Sequence, residues 1–293
     1  MDYTEYRFKL MPNTESYGDV LASVLGDVGF DSFDYDGETL KGYIQSSQID
    51  KDLIDNVISN FPIPGVVISY TSAAIASADW NSAWESEFSP IQIGSLLHIH
   101  DEREPKSEDV TYDIVIHPRM AFGSGSHSTT RLMLQLLLTQ SEEDAESIEI
   151  QDLAGKRVLD VGCGTGILGI AALKGGCKCL TALDIDIDSV ENTKENLALN
   201  GLGSQEVIEG DLSQLEANEQ YDIILSNIHL NIHLSQMGLY NGHVKAGGRL
   251  LLSGFFADES EQIVSAASSF GLRKTRETTE DGWCALEFLK KRE

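Results

Sequence analysis

The chain is poor in positive charge. It has 21 lysines and arginines against 47 aspartates and glutamates, a formal net charge of −26. Such a surface repels phosphate backbones, so direct binding to nucleic acid is not expected. A basic protein is the partner that this charge favours, through steering that salt weakens. Cysteine is also scarce: Cys163, Cys177, Cys179 and Cys284 form neither a CxxC pair nor a disulfide framework. Free thiols in a reducing cytoplasm are the expectation. No run of about 18 apolar residues occurs, which argues against a membrane-spanning helix. The start, Met1-Asp2-Tyr3-Thr4-Glu5, lacks the basic and apolar regions of a secretory signal. What is present is a globular composition, 41% hydrophobic and 23% charged, over 293 residues. That length suits two domains.

Hydrophobic alternation predicts strands at residues 3–10, 30–35, 39–45 and 65–70. Helical spacing of Leu21, Val24, Leu25 and Val28, and of Leu53, Ile54, Val57 and Ile58, predicts two helices between them. Asp36-Gly37 is a hairpin turn signal. The order β-α-β-β-α-β is that of a ferredoxin-like unit, so residues 1–72 are expected to form a small α+β domain. Its first 70 residues hold 4 basic and 12 acidic side chains, a formal −8. With no nucleotide motif, this domain reads as a recognition module. Residues 73–95 read as a linker, in which Trp80 and Trp84 lie four apart and would share one face of a helix. An aromatic face packing the linker onto a domain accounts for them.

Residues 96–293 read differently. Strands are expected over Ile91–Ile99 and Asp113–Ile116, with the charged stretch 101–109 as a surface loop between them. The glycine-rich segment 117–128 leads to a helix starting near Thr129. From Arg157 on, strands and helices alternate, which implies a mostly parallel, doubly wound α/β sheet. Seven strands are expected, at 157–161, 179–183, 205–209, 221–226, 249–253, 272–279 and 283–289. The last two close the chain as a hairpin turned at Glu280-Asp281-Gly282.

Ligands of such sheets bind beyond the carboxyl ends of the strands, near the switch point. Gly162–Gly166, Asp184, Asp211 and Asn227 each follow a strand and so share that rim. Gly162, Gly164 and Gly166 allow a tight turn with close backbone approach to a ligand. Asp184 ends its strand where a carboxylate can accept both hydroxyl protons of a ribose. A dinucleotide site would read GxGxxG, but here the third position is Ile167 and Gly166 comes one residue early. The turn reads DxGxGxG from Asp160. It suits S-adenosylmethionine, which has a ribose but no pyrophosphate. Asn227 offers one acceptor and one donor group that can hold an amine toward a sulfonium methyl, and is the candidate catalytic residue.

Four stretches then resemble one family. They are Asp79-Trp80-Asn81-Ser82-Ala83-Trp84, the loop Ala121–Thr130, the turn Asp160–Leu168 and Ser226-Asn227-Ile228. They are similar to the DW-x-x-x-W linker, the AFGTGTHPTT loop, the cofactor turn and the AN-I-L motif of the bacterial ribosomal protein L11 methyltransferases, the PrmA family. The loop is the most specific of the four. The resemblance implies a class I S-adenosylmethionine-dependent methyltransferase domain that modifies lysine or N-terminal amines of L11, a basic protein. It implies cofactor contacts at Thr130, Gly162, Asp184 and Asn227, and a substrate-binding N-terminal domain. The family's Asp-Pro-Gly-Leu before the loop is His117-Pro118-Arg119-Met120 here. Ser124, Ser126 and Ser128 replace Thr, Thr and Pro, so the substrate side is where this chain departs.

No metal site is expected. His229 and His233 have the four-residue spacing of a zinc pair but no intervening Glu and no evident third ligand, and an exposed helix face or an entrance lining accounts for them. His98 and His100 share one side of a strand and read as surface residues. His127 belongs to the loop, where anchoring and substrate contact are equally open. Cys163 reads as a small filler. Two other functions stay open: methyl transfer to another amine or to an amide, and non-catalytic binding of S-adenosylmethionine. Ser226-Asn227-Ile228-His229 lacks the Asn-Pro-Pro that favours amides or nucleobases.

Overall fold

The computed structural model describes residues 3–12, 15–26, 28–36, 39–75, 90–117, 128–140 and 150–292. The chain divides into two compact units, Met1–Ala83 and Trp84–Glu293.

The first unit contains β1 (Tyr3–Met11), α1 (Glu15–Gly26), β2 (Phe30–Asp36), β3 (Thr39–Gln45), α2 (Lys51–Ser59) and β4 (Val67–Ile75). Its four strands pair antiparallel in the order β2-β3-β1-β4. Alternation along β1 turns Tyr6, Phe8 and Leu10 inward, where they join Leu21 and Leu25 of α1 and Ile54 of α2 in one core. Asp50 starts α2 by accepting the N–H groups of Asp52 and Leu53 at 3.0 and 3.2 Å. The expected domain end at 72 falls inside β4, which runs to Ile75.

The second unit opens with a three-stranded sheet of β5 (Ile91–Ile93), β6 (Leu97–Asp101) and β7 (Tyr112–Ile116). The single strand expected over 91–99 is broken at Gly94, whose φ of 51° turns the chain back as a hairpin. β6 then pairs parallel with β7. His98 and His100 are not surface residues as expected: His98 is half-buried and His100 only 2% exposed. Alternation places two side chains on one side of a strand, but it does not say whether that side is covered.

The remaining elements are α3 (Ser128–Leu138), β8 (Arg157–Val161), α4 (Ile167–Lys174), β9 (Cys179–Asp184), α5 (Ile187–Leu199), β10 (Glu206–Glu209), β11 (Tyr221–Asn227), α6 (Leu230–His243), β12 (Val244–Phe256), α7 (Ser260–Ser269), β13 (Leu272–Glu280) and β14 (Trp283–Lys290). They build a seven-stranded sheet in the order β10-β9-β8-β11-β12-β14-β13. The first five pair parallel, and β14 runs antiparallel between β12 and β13. β12 is longer than expected, because Gly247-Gly248 lies within it rather than before it. Asp281 and Gly282, with φ of 51° and 81°, close the terminal hairpin.

Alternate residues of the central strands feed two cores. Val158, Ile223 and Leu251 pack with α3, α4 and Leu197 of α5 on one face. Leu159, Ile224 and Leu250 pack with Met237 and Tyr240 of α6 and Ile263 of α7 on the other. Both ends of α3 are anchored to the terminal hairpin. Ser128 Oγ donates to Asp281 at 2.9 Å and Arg131 to Glu280 at 2.8 Å, while Arg276 donates to the carbonyls of Leu136 and Thr139 at 3.0 and 2.7 Å. No helix among the described residues is long and apolar enough to cross a membrane.

Candidate active site

Strand order reverses between β8 and β11: the chain steps outward to β9 and β10, then returns to β11 beside β8. The crevice at the ends of these two strands is therefore the place for a ligand. Gly162, Gly164 and Gly166 follow β8 with φ of 71°, 53° and 79°. Only residues tolerant of left-handed backbone make that turn. Its base is fixed by Gly162 and Cys163 N–H donating to Leu183 O at 2.8 and 3.1 Å. From α5, Thr193 Oγ1 donates to Gly164 O at 2.8 Å and Asn196 Nδ2 to Thr165 O at 2.9 Å. Cys163 is buried, and burial raises its thiol pKa well above the usual range, so it fills space as expected.

Asp184 ends β9 and is half-buried. Its two oxygens accept from Gly164 N at 2.9 Å and Asp186 N at 3.0 Å. Burial raises its pKa, and these N–H groups oppose the rise. Asp211 is exposed and occupied by capping, accepting from Ser213 N at 2.8 Å. Asp160 opens the DxGxGxG turn, but sequence reasoning assigned it no contact of its own. It is 1% exposed, with Oδ2 accepting from Gly169 N at 3.0 Å in the first turn of α4 and Oδ1 without a partner. Burial, with Asp184 adding to it, pushes its pKa up to about 7 against the pull of Gly169 N–H.

Asn227 ends β11 across the crevice. Its Nδ2 donates to Thr129 Oγ1 at 3.2 Å, which ties it to the first turn of α3. Thr130, the expected contact, is the next residue and is buried. Thr129 was missed, although the Thr-Thr pair ending the loop motif was the available signal. The following Ile228 packs onto the glycine turn, so closely that a Cβ on Gly162 would come within 2.5 Å of Ile228 Cγ2. Gly254 of β12 was also missed. Its φ is 97°, and a Cβ there would lie 2.3 Å from Ile228 O. A glycine inside a strand signals such a close approach.

Behind Asn227, Ser226 Oγ donates to Val161 O at 3.1 Å, and Tyr240 OH to Ser226 Oγ at 3.1 Å. Ser253 O accepts from Ile228 N at 3.1 Å and lies 2.9 Å from His233 Nε2, which fixes the proton on that nitrogen. His233 is fully buried, contrary to the exposed or entrance-lining expectation, and burial lowers its pKa to about 4. His229 is the exposed residue before α6, so the two do not share a helix face. Trp80, Trp84, His127 and the loop residues 118–127 lie outside the described residues.

Residues 26–291 match the family model described as "Ribosomal protein L11 methyltransferase (PrmA)". The chain is 40% identical over 290 residues to a ribosomal protein L11 methyltransferase of Bacteroides fragilis, covering 99% of this chain and 100% of that protein. It is 34% identical over 303 residues to the Pelobacter propionicus protein of the same description, covering 93% of each. A crystal structure of ribosomal protein L11 methylase from Lactobacillus delbrueckii subsp. bulgaricus aligns with a TM-score of 0.59 at 28% identity, over 69% of this chain and 99% of that one.

Proposed function

The chain belongs to the ribosomal protein L11 methyltransferase (PrmA) family, and from that premise we propose that it methylates amines of ribosomal protein L11. It is an S-adenosylmethionine-dependent methyltransferase. The observation that carries the site reading is the hydrogen bond between Asn227 and Thr129. It joins the last residue of β11 to the helix that follows the family's most specific loop, directly across from the glycine turn.

The residues present fit the cofactor. The glycine turn with positive φ lies at the ends of β8 and β9 beside the Asp184 carboxylate, and Asp160 Oδ1 is a buried acceptor that lacks a donor. When bound, S-adenosylmethionine supplies a methyl group on a sulfonium sulfur. Gly162, Gly164 and Gly166 line its approach. Asp184, held by two N–H groups, keeps lone pairs for the ribose hydroxyls. Asp160 offers its unpartnered oxygen to a donor on the ligand, and Thr130 closes the side next to α3.

Transfer of that methyl would need an acceptor nitrogen held in line with the carbon–sulfur bond, so alignment is the main task of the protein. Asn227 Oδ1 accepts from the amine and points its lone pair at the methyl. A lysine has a pKa of about 10.4 in water and must first lose a proton. Burial beside Ile228 favours the neutral form.

The N-terminal unit, read as ferredoxin-like, serves as the recognition module, and the net charge of −26 suits a basic acceptor. A ribosomal-protein acceptor places the reaction in the cytoplasm. The test is transfer of radiolabelled methyl to a mixture of ribosomal proteins, with the labelled band identified. Label on L11 lysines or its N-terminus supports the proposal. Label on another protein, on glutamine amides or on none would overturn it.

A further inference from the structure

A second constellation lies on β6 and β7. His98 and His100 project to the same side of β6, with rings stacked 4.8 Å apart. Asp113 faces His98 on the parallel neighbour β7. His98 Nδ1 is 3.2 Å from Asp113 Oδ1, and His100 Nε2 is 3.3 Å from Oδ2. His98 and Asp113 side chains are 12% and 8% exposed, and His100 is 2% exposed.

His100 Nδ1 lies 2.7 Å from the carbonyl of Asp101, which can only accept, so Nδ1 carries a proton. In a neutral ring, Nε2 is then a lone pair facing a carboxylate lone pair at 3.3 Å. Two acceptors that close, with almost no water, need positive charge between them. A metal ion bound between them supplies it.

We infer that His98, His100 and Asp113 form a site for a divalent transition-metal ion, with zinc the ion their chemistry suits. Two imidazoles and one carboxylate are ligands of zinc, whereas magnesium and calcium take oxygen. Zinc bonds of about 2.0–2.1 Å in a tetrahedron imply ligand separations of about 3.3–3.4 Å. Each imidazole nitrogen lies about that far from one Asp113 oxygen, His98 Nδ1 at 3.2 Å from Oδ1 and His100 Nε2 at 3.3 Å from Oδ2, so a small turn of the carboxylate would present one oxygen to an ion held by both rings. All three ligand atoms lie within 4.8 Å of one another. The surrounding bonds are also those of metal ligands. His100 donates its other N–H to a backbone carbonyl, and Asp113 Oδ1 accepts from Ser107 N at 3.0 Å. A water reaching the partly exposed side of His98 completes the tetrahedron. The ion staples β7 to β6, two residues before Val115 and four before His117.

The test uses tag-free full-length chain, stripped with chelator, then titrated with Co2+ followed by Zn2+. One equivalent of Co2+ should bind with the visible absorption of a tetrahedral nitrogen–oxygen site, and Zn2+ should displace it and raise the melting temperature. His98→Gln and Asp113→Asn should each lose stoichiometric binding. The double variant Cys177→Ser/Cys179→Ser should retain it. Should Asp113→Asn not fold, His98→Gln at the partly exposed position carries the comparison. Wild-type chain that binds neither ion stoichiometrically overturns the site. So does binding that survives His98→Gln or vanishes with the cysteines.

Discussion

The turns after β8 and β11 are neighbours in the sheet, yet they are built in opposite ways. The turn after β8 is local: three glycines, Asp160 and Asp184 lie within 25 residues, and backbone N–H groups make most of its bonds. The turn after β11 is assembled from afar, by Thr129, Val161, Ser253 and Gly254, with His233 and Tyr240 of the following helix bracing it. A generic cofactor can be held by local sequence. Alignment of an acceptor amine against it depends on several elements meeting correctly.

The sharpest way to break this comparison is Gly254→Ala. Its positive φ and the backbone oxygen of Ile228 leave no room for a methyl group. Left-handed strain and overpacking together should cost about 2–5 kcal/mol in urea unfolding. A loss below about 0.5 kcal/mol, the range of an ordinary surface substitution, would mean that the second turn is not held by this approach.

The two turns also carry opposed titrations. Asp160 has a folded pKa of about 7 against 3.8 unfolded, so between these values the folded chain keeps a proton that the unfolded chain has released. Raising the pH through that window therefore destabilises the fold. His233 has a folded pKa of about 4 against 6.5, so the unfolded chain holds the extra proton and raising the pH stabilises the fold. At about 1.4 kcal/mol for each pKa step, each effect is on the order of 3–4 kcal/mol and they largely cancel in the wild type. Asp160→Asn should expose a stability that climbs from pH 4 to 6.5, and His233→Gln one that declines. Parallel stability profiles for both variants and the wild type would refute the opposition.

Smaller effects separate rate from binding. Asn227→Ala should lower kcat on the order of 100-fold, the cost of losing one aligned polar group. Calorimetry should find a smaller loss of cofactor affinity, since Asn227 is one cofactor contact among several. Asp184→Ala should do the reverse, weakening cofactor binding about 10- to 100-fold through the lost charge-assisted hydrogen bonds. If both variants moved kcat and affinity together, the division between the turns would fail. Least of all, Tyr240→Phe should cost about 1 kcal/mol of stability, read from its urea midpoint.

What the sequence made legible follows the same division. The glycine turn and Asp184 could be read because strand ends and left-handed residues are local signals. Asn227 could be read as following a strand, but its bond to Thr129 spans 98 residues and leaves no periodic trace. His233 was misplaced because four-residue spacing assumes that both histidines are helical, whereas His229 precedes the helix. The burial of His98 and His100 was missed because alternation shows which side chains share a face of β6 and not what packs there, and Asp113, which meets them, comes from the separate strand β7. Asp160 was seen as a strand residue, since nothing in a sequence reports an unpartnered oxygen.

Helix α5 has a consequence for solubility. β7 is an outer strand of its three-stranded sheet, the kind of edge that recruits a strand from another molecule. Here Asn200 accepts from Val115 N at 3.1 Å and donates to Val115 O at 2.6 Å, as a neighbouring peptide group would. Asn196 accepts from His117 N at 2.7 Å, and Asn192 donates to His117 O at 3.0 Å. Two amides of the helix and the one that caps it, at four-residue intervals, thus imitate the rim of a strand. They occupy these outward groups with side chains that cannot propagate pairing, which guards the edge against strand-by-strand aggregation.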